Sequence, residues 1–206
     1  MLKVYALFTG ICYGGIMKKL STYLFLFILS FSMPSHADDI QDLQIEGISI
    51  GDSALDFFPK NEVDSRKKIG FVYDKKDFYS ATFYEKNFFE FYDQVQLHIK
   101  KDDDNYIIYS VGGKKIYHDH NIKKCHLDME NALKAIKKLF KNANVRDIGI
   151  QDWQFDSRVK VKSYYVQLNT GDEVAIECYD YPVDYQFTDD LTIAIDTEEF
   201  VKWLHY

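Results

Sequence analysis

The sequence predicts an α+β fold: an antiparallel sheet built from two hairpins plus flanking strands, with one main helix packed on one face and short N- and C-terminal helices. Three observations carry this. Gln94 to Lys100 alternates strictly between apolar and polar residues, and runs rich in β-branched and aromatic residues recur at Tyr106 to Val111, Val159 to Leu168 and Glu173 to Tyr179. The stretches Asp102-Asp103-Asp104-Asn105 and Asn169-Thr170-Gly171-Asp172 are turn formers that fold these runs into two hairpins. Between the hairpins, Cys125 to Phe140 carries Met129, Ala132, Leu133, Ile136 and Leu139 in one stripe at helical spacing.

Taken in order, the chain begins with an address. Met1 to Ile16 is apolar apart from Lys3. Lys18 and Lys19 then form a basic n-region, Leu20 to Phe31 an apolar h-region, and Ser35-His36-Ala37 a small-x-small cleavage site before Asp38. This is the pattern of a secretory signal peptide over 17–37, cleaved after Ala37, and it predicts a periplasmic or secreted protein. A membrane span needs about 20 apolar residues. The run here falls short of that, so an uncleaved N-terminal anchor is the weaker alternative and no stable membrane insertion is expected after cleavage. A signal peptide needs nothing before Met17, so 1–16 reads as an extension upstream of the true start. Residues 38–206 then form a single domain of a length that supports a sizeable core.

Charge narrows the partners. The whole chain has a formal net charge of −7, and loss of Lys3, Lys18 and Lys19 with the leader makes the mature protein more acidic still. That disfavours nucleic acid and anionic membranes. Tyr and Phe, 16 of each, would suit a carbohydrate-binding surface. Lys, Asn and Ile are also plentiful, however, and Arg66, Arg146 and Arg158 are the only arginines. The coding bias of an AT-rich genome, with core packing, accounts for the aromatics.

The stretch Ile45 to Pro59, IEGISIGDSALDFFP, reads as strand, turn and short helix. Asp52 or Ser53 caps that helix, Leu55, Phe57 and Phe58 bury it, and Pro59 ends it. Two nucleophile patterns overlap here. Gly47-Ile48-Ser49-Ile50-Gly51 fits G-x-S-x-G, but it sits at the start of the mature chain, where no α/β-hydrolase sheet precedes it. Gly51-Asp52-Ser53 resembles the first block of the GDSL-type esterases and makes Ser53 the candidate nucleophile. That family's later blocks are missing. Val95, Lys115, Tyr117, Lys123 and Lys202 stand where a D-x-x-H aspartate would precede a histidine, and no G-x-N-D follows. A serine without a base is a weak nucleophile, and the capping role is the simpler one.

Lys60 to Lys68 reads as a charged connector. Ile69 to Tyr73 and Phe78 to Tyr84 read as strands. In Gln94 to Lys100, Val95, Leu97 and Ile99 face one way, and Gln96, His98 and Lys100 the other. Gly112-Gly113 predicts a bulge or bend before Lys114 to His118. Val145 to Ser157 reads as irregular, anchored by Trp153 and Phe155. Tyr181-Pro182 breaks the second hairpin, Leu191 to Ile195 is a last strand, and Asp196-x-x-Glu199 predicts a capping box opening a C-terminal helix with Phe200, Trp203 and Leu204 inward.

Cys125 lies on the apolar stripe of the helix and Cys178 on the apolar face of a strand, with Val174 and Ile176. In an exported protein this even pair predicts a Cys125–Cys178 disulfide. His118 and His120 share a face on an extended chain and are the candidate metal ligands. They occupy a polar strand-to-helix connection with no Cys or Glu motif, which reads as a solvated loop, so no metal and no other cofactor is expected.

IEGISIGDSALDFF, YDQVQLHIKKDD, the Cys125 helix start, VAIECYDY and the closing LTIAIDTEEFVKWL together resemble a group of exported proteins of marine bacteria. The resemblance covers most of the mature chain and implies export and a shared fold, with no activity attached to any residue. The expectation is an exported, non-catalytic binding or structural domain for an unidentified ligand or protein; the alternative is a GDSL-like hydrolase using Ser53.

Overall fold

The computed structural model describes residues 40–68, 77–84 and 89–205. The leader 1–37 and the strand expected at 69–73 lie outside them. The elements are α1 (Lys60–Ser65), β1 (Lys67–Lys68), β2 (Phe78–Phe83), β3 (Gln94–Lys100), β4 (Ile108–Ile116), α2 (Ile122–Leu139), β5 (Asn144–Trp153), β6 (Asp156–Gln167), β7 (Glu173–Asp180), β8 (Asp190–Asp196) and α3 (Glu198–His205). All eight strands join one antiparallel sheet in the order β1-β2-β3-β4-β8-β7-β6-β5. The fold is therefore α+β and mostly sheet, built from two four-stranded meanders. The last strand of the second, β8, inserts beside β4 and closes the two into one sheet.

Strand alternation divides the sheet into two faces. On β3, Val95, Leu97 and Ile99 are completely buried, while Gln94, Gln96 and His98 between them are only partly covered. The apolar face continues through Val111, Ile193, Ile176 and Val166. It is covered by α2, whose Cys125, Met129, Ala132, Leu133 and Ile136 are buried, and by the N-terminal segment from Ile40 to Val63. Cys125 and Cys178 are disulfide-bonded, with Cα atoms 6.0 Å apart, which ties α2 to β7.

The local chemistry explains the element ends. Gly47 and Gly51 take φ of 81° and 87°, angles that glycine adopts without strain. Asp52 Oδ2 accepts the Ser49 N–H at 2.9 Å, and the returning backbone pairs with the start of β4, Gly51 N–H to Ile108 O at 2.8 Å. Asn121 caps α2 by accepting the Lys124 N–H, and Lys137 and Lys138 occupy its last turn, where cations suit the helix dipole.

Several expectations need correction. The connector 60–68 is α1 followed by β1; Pro59 begins that helix, and the Lys60–Asp64 and Glu62–Arg66 pairs at i, i+4 support it. The short element after Ser53 is a single 3₁₀ turn, and Leu55 on it is exposed. Gly112 and Gly113 do not bend β4. Gly113 lies under Tyr92, where a Cβ would meet ring atoms at 2.7 Å, and the irregularity falls instead opposite His98 and Ile99. Val145 to Trp153 is not irregular but lies in edge strand β5. An edge strand with little to bury shows no apolar alternation, so its sequence carried no strand signal. Thr197, not Asp196, caps α3 by accepting the Phe200 N–H at 3.2 Å; Asp196 is taken up as the last residue of β8.

Candidate functional site

The second face of the sheet carries the chemistry. Register sets three rows across β3, β4, β8 and β7: His98–Ser110–Asp196–Glu173, then Gln96–Gly112–Ala194–Ala175, then Gln94–Lys114–Thr192–Glu177. The middle row has almost no side-chain bulk beyond Gln96, so it forms a trough between two polar ridges.

Both ends of this face are walled by aromatics. At the first row α3 folds over the sheet. The Phe200 ring lies 4.5 Å from His98, and Trp203 packs 5.0 Å from Phe78 while its indole N–H donates to Asp77. At the third row the β7–β8 connection rises, with Tyr181 and Phe187 rings 5.8 Å apart. Between these walls lies a groove of about 610 Å³, floored by Thr82, Gln94, Gln96, His98 and Lys114. A recess of about 80 Å³ opens from the same floor beside Gly112 and Ala194.

The floor is largely neutral in character. Gln96 Nε2 donates to Thr82 Oγ1 at 3.0 Å. Lys114 is matched by Asp190 at 2.7 Å, and the other Asp190 oxygen accepts from Thr192. Burial nonetheless raises the Asp190 carboxyl above its ordinary range, against the pull of Lys114. Farther along the same row, Glu177 accepts hydroxyl bonds from Ser163, Tyr165 and Tyr179.

The first row is a polar chain, buried at Ser110, Asp196 and Glu173 and partly covered at His98. His98 Nδ1 and Ser110 Oγ are 3.2 Å apart, and burial pushes the imidazole down to about 4. Asp196 is pushed up to about 7, first by burial and then by the carboxylates of Glu173 and Glu177, with the Ser110 hydroxyl opposing. Its Oδ1 has no hydrogen-bond partner. Glu173 is held by Arg146 at 2.7 Å. Serine, histidine and aspartate thus meet, but in the wrong order for acyl transfer, which needs the histidine between the other two. Ser110 is also only 2% exposed, out of a substrate's reach.

The residues singled out by sequence lie elsewhere. Ser53 caps the 3₁₀ turn, accepting the Leu55 N–H at 3.3 Å, and its hydroxyl donates to the Asn105 carbonyl at 2.7 Å. Neither partner is a base. Ser49 is buried in the N-terminal turn. His118 is exposed on the groove rim, whereas His120 turns toward Asp189, with Nδ1 3.7 Å from its carboxylate. Among the described residues no group of three or more His, Cys, Asp or Glu is placed to hold a metal ion, and no helix is long and apolar enough to cross a membrane. Sequence reasoning missed the groove. The available signal was the run of amides and hydroxyls on the face opposite Val95, Leu97 and Ile99.

Fold and site define a single-sheet α+β domain with one face packed and the other hollowed into a polar, aromatic-walled groove. No known protein family, curated protein or solved structure matches the chain.

Proposed function

We propose that this chain is an exported, non-catalytic binding domain whose ligand lies in the groove on the open face of the sheet. The observation that carries the reading is the groove itself. It has the volume of a small-molecule site, a floor of convergent amide and hydroxyl groups, and aromatic walls, the combination by which binding sites orient and hold a ligand. The Cys125–Cys178 bond supports export, because structural disulfides persist in oxidising compartments. The signal-peptide pattern before Asp38 and the resemblance to exported marine proteins point the same way. The hydrolase alternative is disfavoured by the backbone bonds that occupy Ser53. It predicts labelling of the wild type by a fluorophosphonate probe and none of Ser53→Ala; we expect neither protein to be labelled.

Native mass spectrometry of the protein exported by cells and gently purified tests the binding reading. Mass in excess of residues 38–206 that is lost on Gln94→Ala/Gln96→Ala substitution supports it. Excess mass that survives the substitution would put the ligand elsewhere.

A further inference from the structure

The groove's chemistry narrows its ligand. Its principal floor cation, Lys114, is already matched by Asp190, a carboxylate that is itself fully engaged. An anionic ligand at Lys114 would have to break this pair, the other lining lysine, Lys68, stands on edge strand β1, and among the described lining residues Asp190 is the one carboxylate a cationic ligand would find. What the floor offers instead is both donors and acceptors: the amides of Gln94 and Gln96 and the hydroxyls of Ser80 and Thr82. Such a mixed set matches a ligand that is itself donor and acceptor at every position.

The walls add a second requirement. Phe187 is 51% exposed and Tyr84 is 57% exposed, large apolar surfaces left open at the groove's edge. Beyond Phe187 a ridge of packed rings continues through Tyr185, over the buried Tyr181, to Trp153 and Phe155, with successive ring centroids 5 to 7 Å apart. Phe155 at its far end is 57% exposed. A ligand that uses groove and ridge is elongated, with flat C–H faces as well as edges rich in hydroxyls. Rigid aromatic platforms beside hydrogen-bonding groups hold both kinds of surface.

Resting on the binding reading above, we infer that the groove takes a neutral oligosaccharide running out along the aromatic ridge, and that the recess beside Gly112 and Ala194 seats a hydroxymethyl branch of one sugar unit. The recess, at about 80 Å³, is larger than the ~30 Å³ share of one liquid water. That suits a small branch whose carbon lies against Gly112 and Ala194 and whose hydroxyl meets the Gln94 and Gln96 amides. The recess exists because β4 and β8 place Gly112 beside Ala194. A Cβ at Gly112 would meet Ala194 Cβ at 3.6 Å, an ordinary contact, so the position accepts a side chain at the expense of the recess.

The test uses the full mature protein and isothermal titration with a panel of hexasaccharides: neutral β- and α-glucans and a mannan, which carry hydroxymethyl branches, a neutral xylan fragment, which carries none, and a uronic-acid and a sulfated oligomer as anionic counterparts. We expect at least one hexose oligomer to bind. Phe187→Ala, a change at an exposed site, should weaken it by about tenfold, the upper range for one aromatic platform. Gly112→Val should weaken hexose oligomers while leaving xylohexaose unchanged, and Gly112→Ala should fall between; an unchanged melting temperature shows that the fold is kept. Equal weakening of hexose and pentose oligomers overturns the recess assignment. Binding confined to uronic-acid or sulfated oligomers overturns the neutral class. If no saccharide binds, while the mass retained from cells is still lost on Gln94→Ala/Gln96→Ala, the saccharide inference falls and the binding reading stands. If that mass also survives the substitution, both fall.

Discussion

The two faces of the sheet are made by the same strands and obey opposite rules. On β3, Leu97 is completely buried in the core, paired across the strands with Ala81 of β2 and Val111 of β4. Its neighbours Gln96 and His98 point the other way, toward a trough that no element among the described residues fills. The packed face satisfies the hydrophobic effect with close-fitting side chains. The open face holds partly and fully buried polar groups, with one carboxylate oxygen of Asp196 left unpaired. Polar groups kept out of water without a full set of partners cost stability, and such costs concentrate where a site is prepared for something else.

The comparison breaks most visibly where the packed face is tied. The disulfide closes a sequence separation of 53 residues. In the chain-entropy model, a Cys125→Ala/Cys178→Ala variant should lose about 4 kcal/mol, read as a lower denaturant midpoint. Next comes Leu97→Ala, which removes a side chain that cannot be refilled. It should lose about 3 kcal/mol. A loss below about 1 kcal/mol would mean that the face is loosely packed and the contrast between faces overstated.

Why the packed face was legible and the open face was not follows from these residues. Val95, Leu97 and Ile99 must all be apolar, as must the α2 stripe from Cys125 to Ile136, so periods of two and 3.6 stand out in the sequence and even the disulfide pairing could be read from them. The groove depends on Gly112, Ala194 and Ala175 coming into one row from three strands far apart in sequence. Nothing local marks that row, and the two glycines invited a bend that the surrounding strand pairs forbid. Edge strand β5 was hidden for the opposite reason: with little to bury, it needs no pattern. Ser53 was conspicuous because a capping serine and a nucleophilic serine share a local signature. The difference lies in what approaches across space, here the Asn105 carbonyl.

The buried polar row sharpens the contrast through pH. Folded His98 binds its proton less readily than the ordinary imidazole at 6.5, so it makes stability rise with pH between about 4 and 6.5. Asp196 does the reverse. Its folded carboxyl holds the proton up to about 7, so its contribution is fully present below the ordinary 3.8 and is lost as pH rises toward 7. From pH 4 to 6.5 the two slopes nearly cancel, leaving a net change from this pair below about 1 kcal/mol. Removing one exposes the other. Asp196→Asn should gain about 3 kcal/mol across that window and His98→Gln should lose about as much, measured by denaturant titration at several pH values. Parallel profiles for both variants and the wild type would show that the row does not titrate in this range.

The smallest effect on stability is expected one residue from the large one. Gln96→Ala removes an amide that donates to Thr82 on the floor of the groove. Water replaces that bond, so the melting curve should move by no more than about 0.5 kcal/mol. Leu97 and Gln96 share a strand, a backbone ladder and nearly the same distance from every strand end, so local propensity cannot separate them; only the face can. A residue whose removal leaves the fold intact, yet whose amide is held by Thr82 toward a groove between aromatic walls, is kept for what enters that groove. If Gln96→Ala instead cost as much as Leu97→Ala, the open face would be a structural layer in its own right, and the groove a by-product of packing.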